Sequence, residues 1–376
     1  MALPVVPRHV HDALGQGTLM VGVVMGAQFA SAIFTRIWAG SITDGRGAHI
    51  AATAGLVGAS CVGAVYLLSL AVIDQPRLSL GILLGARLLT GVADSFIITA
   101  MLAWGIARVG PAHAGKVIGW VGMALFAAYG AGAPVGTWTH ARFGFAGIAW
   151  ATVLVPLAAL AIVRCITAVP PGTTRRLPFL RVLGAVKLPG MGLTLCSAGY
   201  AMITAFITLL FAQRGWGGAA LAFTSMGAGF IVARLAFGHL PDKAGGARVA
   251  FFCVLAGALG QLLVWGAPGP LVACIGAALT GGGYALGFQA FGVEAVRRAP
   301  PESRGSAMGA YVSFQDIAML LAGPLGGLLA QVAGIGAVYL AAGLASLLAA
   351  GVAIALRGRC AQRDGHAGGK QRRQAG

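Results

Sequence analysis

Charge is what this chain has least of. Only 9% of its 376 residues are Asp, Glu, Lys or Arg, and only nine are acidic. A soluble domain carries about 25% charged residues, so a water-exposed surface along the whole chain is excluded. The six cysteines, Cys61, Cys165, Cys196, Cys253, Cys274 and Cys360, show no metal or redox spacing. Most lie in apolar segments, where a cysteine is a small buried hydrophobe. No phosphate-cradling loop, zinc spacing or catalytic triad is present. Neither an ATP-driven pump nor an enzyme is therefore supported, and no cofactor or metal is expected. His9 and His11 sit two apart in a loop and are expected to bind nothing. The opening stretch, residues 1–17, has no long apolar run, so no cleavable signal peptide is expected in it.

What fills the chain is apolar. It is 58% hydrophobic, carries 60 glycines, and has a mean hydropathy of +0.86. Small residues let helix backbones approach closely in lipid, and glycines recur four apart, as in Gly22/Gly26, Gly115/Gly119 and Gly323/Gly327. A membrane helix needs about 20 apolar residues. On that basis spans are expected near 18–41, 52–73, 80–105, 116–138 and 144–166. After a linker they resume near 188–212, 218–240, 248–266, 271–296, 304–330 and 335–356. That is an all-α membrane protein of about eleven complete crossings. Its parts are a first bundle (1–167), a polar linker (168–187), a second bundle (188–356) and a basic, unstructured tail (357–376).

The net charge of +17 could point to nucleic acid, but the positions of the basic residues argue otherwise. Of 26, nineteen fall in alternate loops, the linker and the tail. Four fall on the opposite side, at Arg8, Arg77, Arg142 and Arg214. Three lie within spans. Basic loops stay cytoplasmic, so the linker and C-terminus are expected there, with no nucleic-acid partner.

Two internal repeats organise the chain. Arg36, Gly40, Asp44 and Gly47 recur as Arg234, Gly238, Asp242 and Gly245, each displaced by 198 residues. Gly115, Gly119, Pro134 and Gly136 recur as Gly305, Gly309, Pro324 and Gly326, each displaced by 190. A shared displacement over chemically distinct residues marks two related halves.

Gly40-x3-Asp44-x2-Gly47 resembles the loop signature of the major facilitator superfamily, normally Gly-x-Leu-Ala-Asp-Arg-x-Gly-Arg-Arg. Here Gly45 replaces a basic residue, and Ala48-His49 replace the basic pair. Residues 132–136 and 323–327 resemble the Gly-Pro-x-x-Gly-Gly signature of the family's proton-coupled exporters, with Ala133 and Thr137 as departures. Phe291-Gly292-Val293-Glu294 and Asp316 are similar to the arabinose-efflux-like branch. The resemblance implies two six-helix bundles around one path, in a bacterial inner membrane, working as a monomer on a small organic molecule with protons as the coupling ion. Against the six-plus-six pattern, most of a first helix is missing, and Leu3-Pro4-Val5-Val6-Pro7 resembles its exit end. A truncated start, or a start placed too far downstream, would account for that.

Charges at membrane depth are functional candidates by default. Those in both halves, Arg36/Arg234 and Asp44/Asp242, read as a gate at the cytoplasmic face, with Asp44 capping a neighbouring helix. Glu294, beside Arg297 and Arg298, reads as structural. Charges without a repeat partner read as coupling groups. Arg87-x3-Gly91 resembles the family's fourth-helix coupling signature, Asp94 lies two turns on, and Asp316 matches Phe126 in the other half. Gln28, Tyr129, Tyr200, Tyr284, Gln289, Tyr311 and Gln315 could line a substrate path or bond helix to helix. Pro134 and Pro324 would bend their helices, as hinges or as packing kinks. The expected function is proton-coupled export of a drug, sugar or metabolite. The alternatives are a facilitator or importer of the same fold, or a truncated membrane protein that transports nothing.

Overall fold

In hydrocarbon every backbone N–H and C=O must be satisfied within its own segment, so apolar runs become helices. The computed structural model describes residues 1–110, 114–167, 179–298 and 304–374. Helices, with no strand, make up the described residues. They are α1 (Val6–Arg8) continuing into a π-helical turn (His9–Ala13), α2 (Thr18–Arg46), α3 (Ala48–Ala71), α4 (Pro76–Val109) and α5 (Ala114–Arg164). Then follow α6 (Phe179–Gln213), α7 (Ala219–Phe237), α8 (Leu240–Ala244), α9 (Gly246–Trp265), α10 (Pro270–Arg298), α11 (Arg304–Ala333) and α12 (Ile335–Gln374).

Ten of these are long and apolar enough to cross a membrane. The two spans expected near 116–138 and 144–166 form a single element, α5, of 51 residues. Unbroken it would run about 75 Å, more than twice a hydrocarbon core of about 30 Å. It breaks at Gly144, whose φ of 62° and ψ of −162° are non-helical. A side chain would be strained there, and the break divides α5 into two arms. Most of the linker, residues 168–178, lies outside the described residues. The remainder of the expected linker, from Phe179 on, belongs to α6. Where an unstructured tail is expected, α12 continues to Gln374.

The pairings repeat between halves. Helix α4 packs on α2 and α3 as α10 packs on α7 and α9, and α5 packs on α3 as α12 packs on α9. The tightest crossings show why glycine is needed. A Cβ at Gly91 would fall on the Gln28 carbonyl of α2, and one at its mate Gly281 on the Met226 carbonyl of α7. The residues they meet, 28 and 226, are themselves 198 apart.

The two motif copies close differently. Helix α2 runs straight through Asp44 to Arg46, whereas α7 ends at Phe237 and Pro241 restarts the chain as α8. Both copies then turn on a glycine in the left-handed region, Gly47 at φ 97° and Gly245 at φ 89°.

Two seams join the halves, α2 against α11 and α5 against α7. Gly22 and Gly323 abut backbone to backbone, and the Thr18 hydroxyl donates to the Gly327 carbonyl at 2.9 Å. Both prolines lie on these seams. Pro134 has no N–H, which frees the carbonyl of Gly130 four residues back. The Thr224 hydroxyl of α7 donates to that carbonyl at 2.8 Å. Pro324 likewise frees Leu320, whose carbonyl faces Gly26, the repeat mate of Thr224.

Candidate functional site

Helix α4 carries Arg87, Gly91 and Asp94 at spacings of four and three, which puts them on one face. Gly91 brings that face against α2, and serines fasten it. Ser31 donates to the Leu88 carbonyl at 2.6 Å, and Ser95 to the Ala32 carbonyl at 3.2 Å. Arg87 is buried. Its Nε donates to the Val24 carbonyl at 3.4 Å, and no ion pair joins it to Asp94 among the described residues. Asp94 is exposed, and the cations acting on it through space are Arg87 and Arg36. Its repeat mate Tyr284 is buried by Tyr200 and its neighbours on α6.

Arg36, expected to act with Asp44 in a gate, reaches across to α11 of the other half, a pairing with Asp316 that the sequence did not make. There its Nη2 meets Asp316 at 2.8 Å and 3.0 Å from the two carboxylate oxygens. Asp316 is almost fully buried, and Arg36 is partly so. The repeated arginine of the second half makes the matching reach. The Arg234 guanidinium lies over Gly119 of α5, 3.2 Å from where a Cβ would sit. At the position matching Asp316, however, α5 offers Phe126.

Neither α3 nor α9 starts with a side-chain cap from its N-cap glycine. Glu294 covers the start of α9 by accepting the Ala247 N–H at 3.2 Å. It also pairs with Arg297 and Arg298, at 3.6 Å and 3.8 Å. Asp242 is exposed beside Arg234. The side chain of Asp44 lies outside the described residues.

Between the halves is a cavity of only about 20 Å³, lined by Leu3, Met25, Gln28, Tyr129, Tyr200 and Thr204 among others. It has room for little more than one water. Of the expected path residues, Gln28, Tyr129 and Tyr200 line it. Tyr284 and Tyr311 belong to a ring cluster beside it, with the Tyr311 hydroxyl donating to the Phe288 carbonyl at 2.6 Å. Gln289 is committed elsewhere and donates to the Gly238 carbonyl at 2.8 Å. Gln315 is half-buried on α11, next to Asp316.

Three members of the cluster were not among the expected path residues, Phe126, Phe230 and Phe288, the last bridging Tyr284 and Tyr311. Phe126 and Phe230 stack face to face across the α5–α7 seam, with ring centres 3.6 Å apart and planes 9° from parallel. The repeat gives a signal for Phe126, since it is the mate of Asp316. For Phe230 there is none, because its mate is Ala32.

The chain matches the Major Facilitator Superfamily over residues 1–243 and 190–374. It is 42% identical over 357 residues to an uncharacterized MFS-type transporter of Pseudomonas aeruginosa, covering 95% of this chain and 89% of that one. It is 40% identical over 350 residues to another from Salmonella typhimurium, covering 93% and 90%. Among solved structures, a mutant of the nucleoside transporter NupG is similar with a TM-score of 0.75 at 14% identity, covering 94% of this chain and 95% of that one. The human organic anion transporter MFSD10 is similar with a TM-score of 0.65 at 16% identity, covering 94% and 89%. At such identities these two likenesses speak for the fold alone.

Proposed function

The chain belongs to the major facilitator superfamily, and on that premise we propose that it exports a small organic molecule in exchange for protons. A transporter of this family, not an enzyme, is a multi-pass membrane protein acting on a small molecule across the bilayer. Related halves of this kind alternate the exposure of a site near the midplane by rocking.

The observation that carries the coupling reading is the ion pair between Arg36 and Asp316, which ties one half to the other inside the membrane. Breaking a buried pair by removing one charge is costly, because the other charge is left without a partner. A proton arriving on Asp316 does this chemically. Arg36 is then drawn to Asp94, on which it already acts through space. Substrate and proton bias the same two-state balance in this way. Export is favoured by the exporter-like stretches around Pro134 and Pro324, which lie on the two seams between the halves.

The basic residues support a bacterial inner-membrane orientation with linker and C-terminus in the cytoplasm. Both halves lie on one chain, which supports a monomer as the working unit. Backbone-to-backbone contact at Gly22 and Gly323, away from the basic loops, supports a state closed on the outer side.

Everted vesicles screened for molecules accumulated under a pH gradient supply the substrate. Asp94→Asn and Asp316→Asn are then compared in proteoliposomes with a trapped pH dye. Substrate-driven proton movement should be lost while substrate exchange persists. Unchanged proton movement in both variants would remove both residues from the coupling. Protons and substrate moving the same way would make the protein an importer.

A further inference from the structure

We infer that the path takes a molecule with a flat aromatic ring and a net charge near zero, and that the ring seats on the face of Phe126. This rests on the reading of the space between the halves as the substrate path.

Phe126 belongs to α5 of the first half and Phe230 to α7 of the second. Their stacked rings are 5% and 6% exposed. Phe126 is also the hub of the cluster. Its ring centre is 5.6 Å from Tyr129, 5.6 Å from Tyr200 and 6.0 Å from Tyr284, while Tyr200 and Tyr284 stack at 4.9 Å. The neighbouring cavity of about 20 Å³ is too small for any organic substrate. The rings beside it are the bulk that must move aside for a substrate seated here, since Tyr129 and Tyr200 both line the cavity and touch the Phe126 ring.

Any rocking that opens the α5–α7 seam parts the Phe126–Phe230 stack, because the seam runs between its two rings. Parting them uncovers two flat apolar faces, and wetting those faces is unfavourable. A flat ring entering between them restores contact on both faces. A saturated ring is puckered and thicker, and loses the offset-stacked geometry that aromatic pairs favour.

The surroundings set the rest of the class. Gln28, Thr204 and the Tyr129 and Tyr200 side chains line the adjoining cavity and offer hydrogen bonds to a polar substituent. Each cation here already has an anion acting on it, Arg36 with Asp316, Arg87 with Asp94 and Arg234 with Asp242. A substrate with net charge would find no unclaimed counter-charge among these six.

The test is equilibrium binding of tritiated 2-naphthol to the full chain in lipid nanodiscs, with empty nanodiscs subtracted for partitioning. Coumarin, also planar, should compete. Decahydro-2-naphthol and octahydrocoumarin, which keep the polar groups but are puckered, should not. Phe126→Leu and Phe230→Leu should each weaken 2-naphthol binding by about 3- to 10-fold, the worth of one ring contact, whereas Phe126→Tyr should keep it. The two leucine variants lie in different halves, so misfolding of one leaves the other to report. No saturable binding, equal competition by the saturated probes, or unchanged affinity in a monodisperse leucine variant would overturn the inference. The measurement needs no gradient. Loss of proton coupling leaves it standing, and its failure leaves the coupling test untouched.

Discussion

A histidine near the start of the chain carries a pH signature of its own. His9 precedes the first membrane span and stacks on Phe145, just past the Gly144 break, at 3.8 Å with planes 9° apart. Burial, then repulsion from His140, pulls its pKa from 6.5 down to about 4. The fold thus favours neutral His9. Its stability is complete above pH 6.5 and declines as pH falls from 6.5 towards 4, by up to on the order of 3 kcal/mol. The melting temperature of the wild type in nanodiscs should fall across that window, and that of His9→Phe should fall less steeply. Parallel curves would mean that His9 is protonated without cost. The sequence set His9 aside as a loop residue, since its stacking partner is distant along the chain. The same limit hid the pairing of Arg36 with Asp316. Comparing one half with the other sorted the charges by repetition and put these two in different groups. Repetition says nothing about which residue of one half faces which residue of the other.

Among the elements, the helix crossings depend on glycines that no other residue can replace. Gly91→Ala or Gly281→Ala pushes a methyl group into a backbone carbonyl of α2 or α7. Overpacking of this kind costs about 1–3 kcal/mol, so each variant should melt several degrees lower. Gly81→Ala, also on α4 but with open space around it, should melt no lower than wild type, since alanine favours the helix. Equal melting of Gly81→Ala and Gly91→Ala would deny the crossing its role. Hydropathy located nearly every crossing because lipid demands continuous apolar length. It misjudged the helix ends, where lipid makes no demand. The cap at the start of α9 shows the same blind spot. It comes from Glu294, near the far end of the next helix, and not from the neighbouring motif aspartate.

For the molecule as a whole, the basic residues make the orientation testable. A reporter active only outside the cytoplasm, fused after Gly376, should stay silent, and a strong signal would reverse the assignment. The division into related halves was legible from two numerical displacements, because repeated anchors survive where packing needs them. The meeting of the halves was not legible, because each seam joins helices that no repeat relates. Those seams carry a mismatch. Each half extends one arginine towards the other. One lands on a carboxylate of the opposite half, whereas its twin lies over Gly119. In a perfectly twofold machine the two arginine latches would be interchangeable. Here one is fastened by an ion pair and the other lies over a glycine, so the two seams need not part in step, and the fastened side is the one that lags.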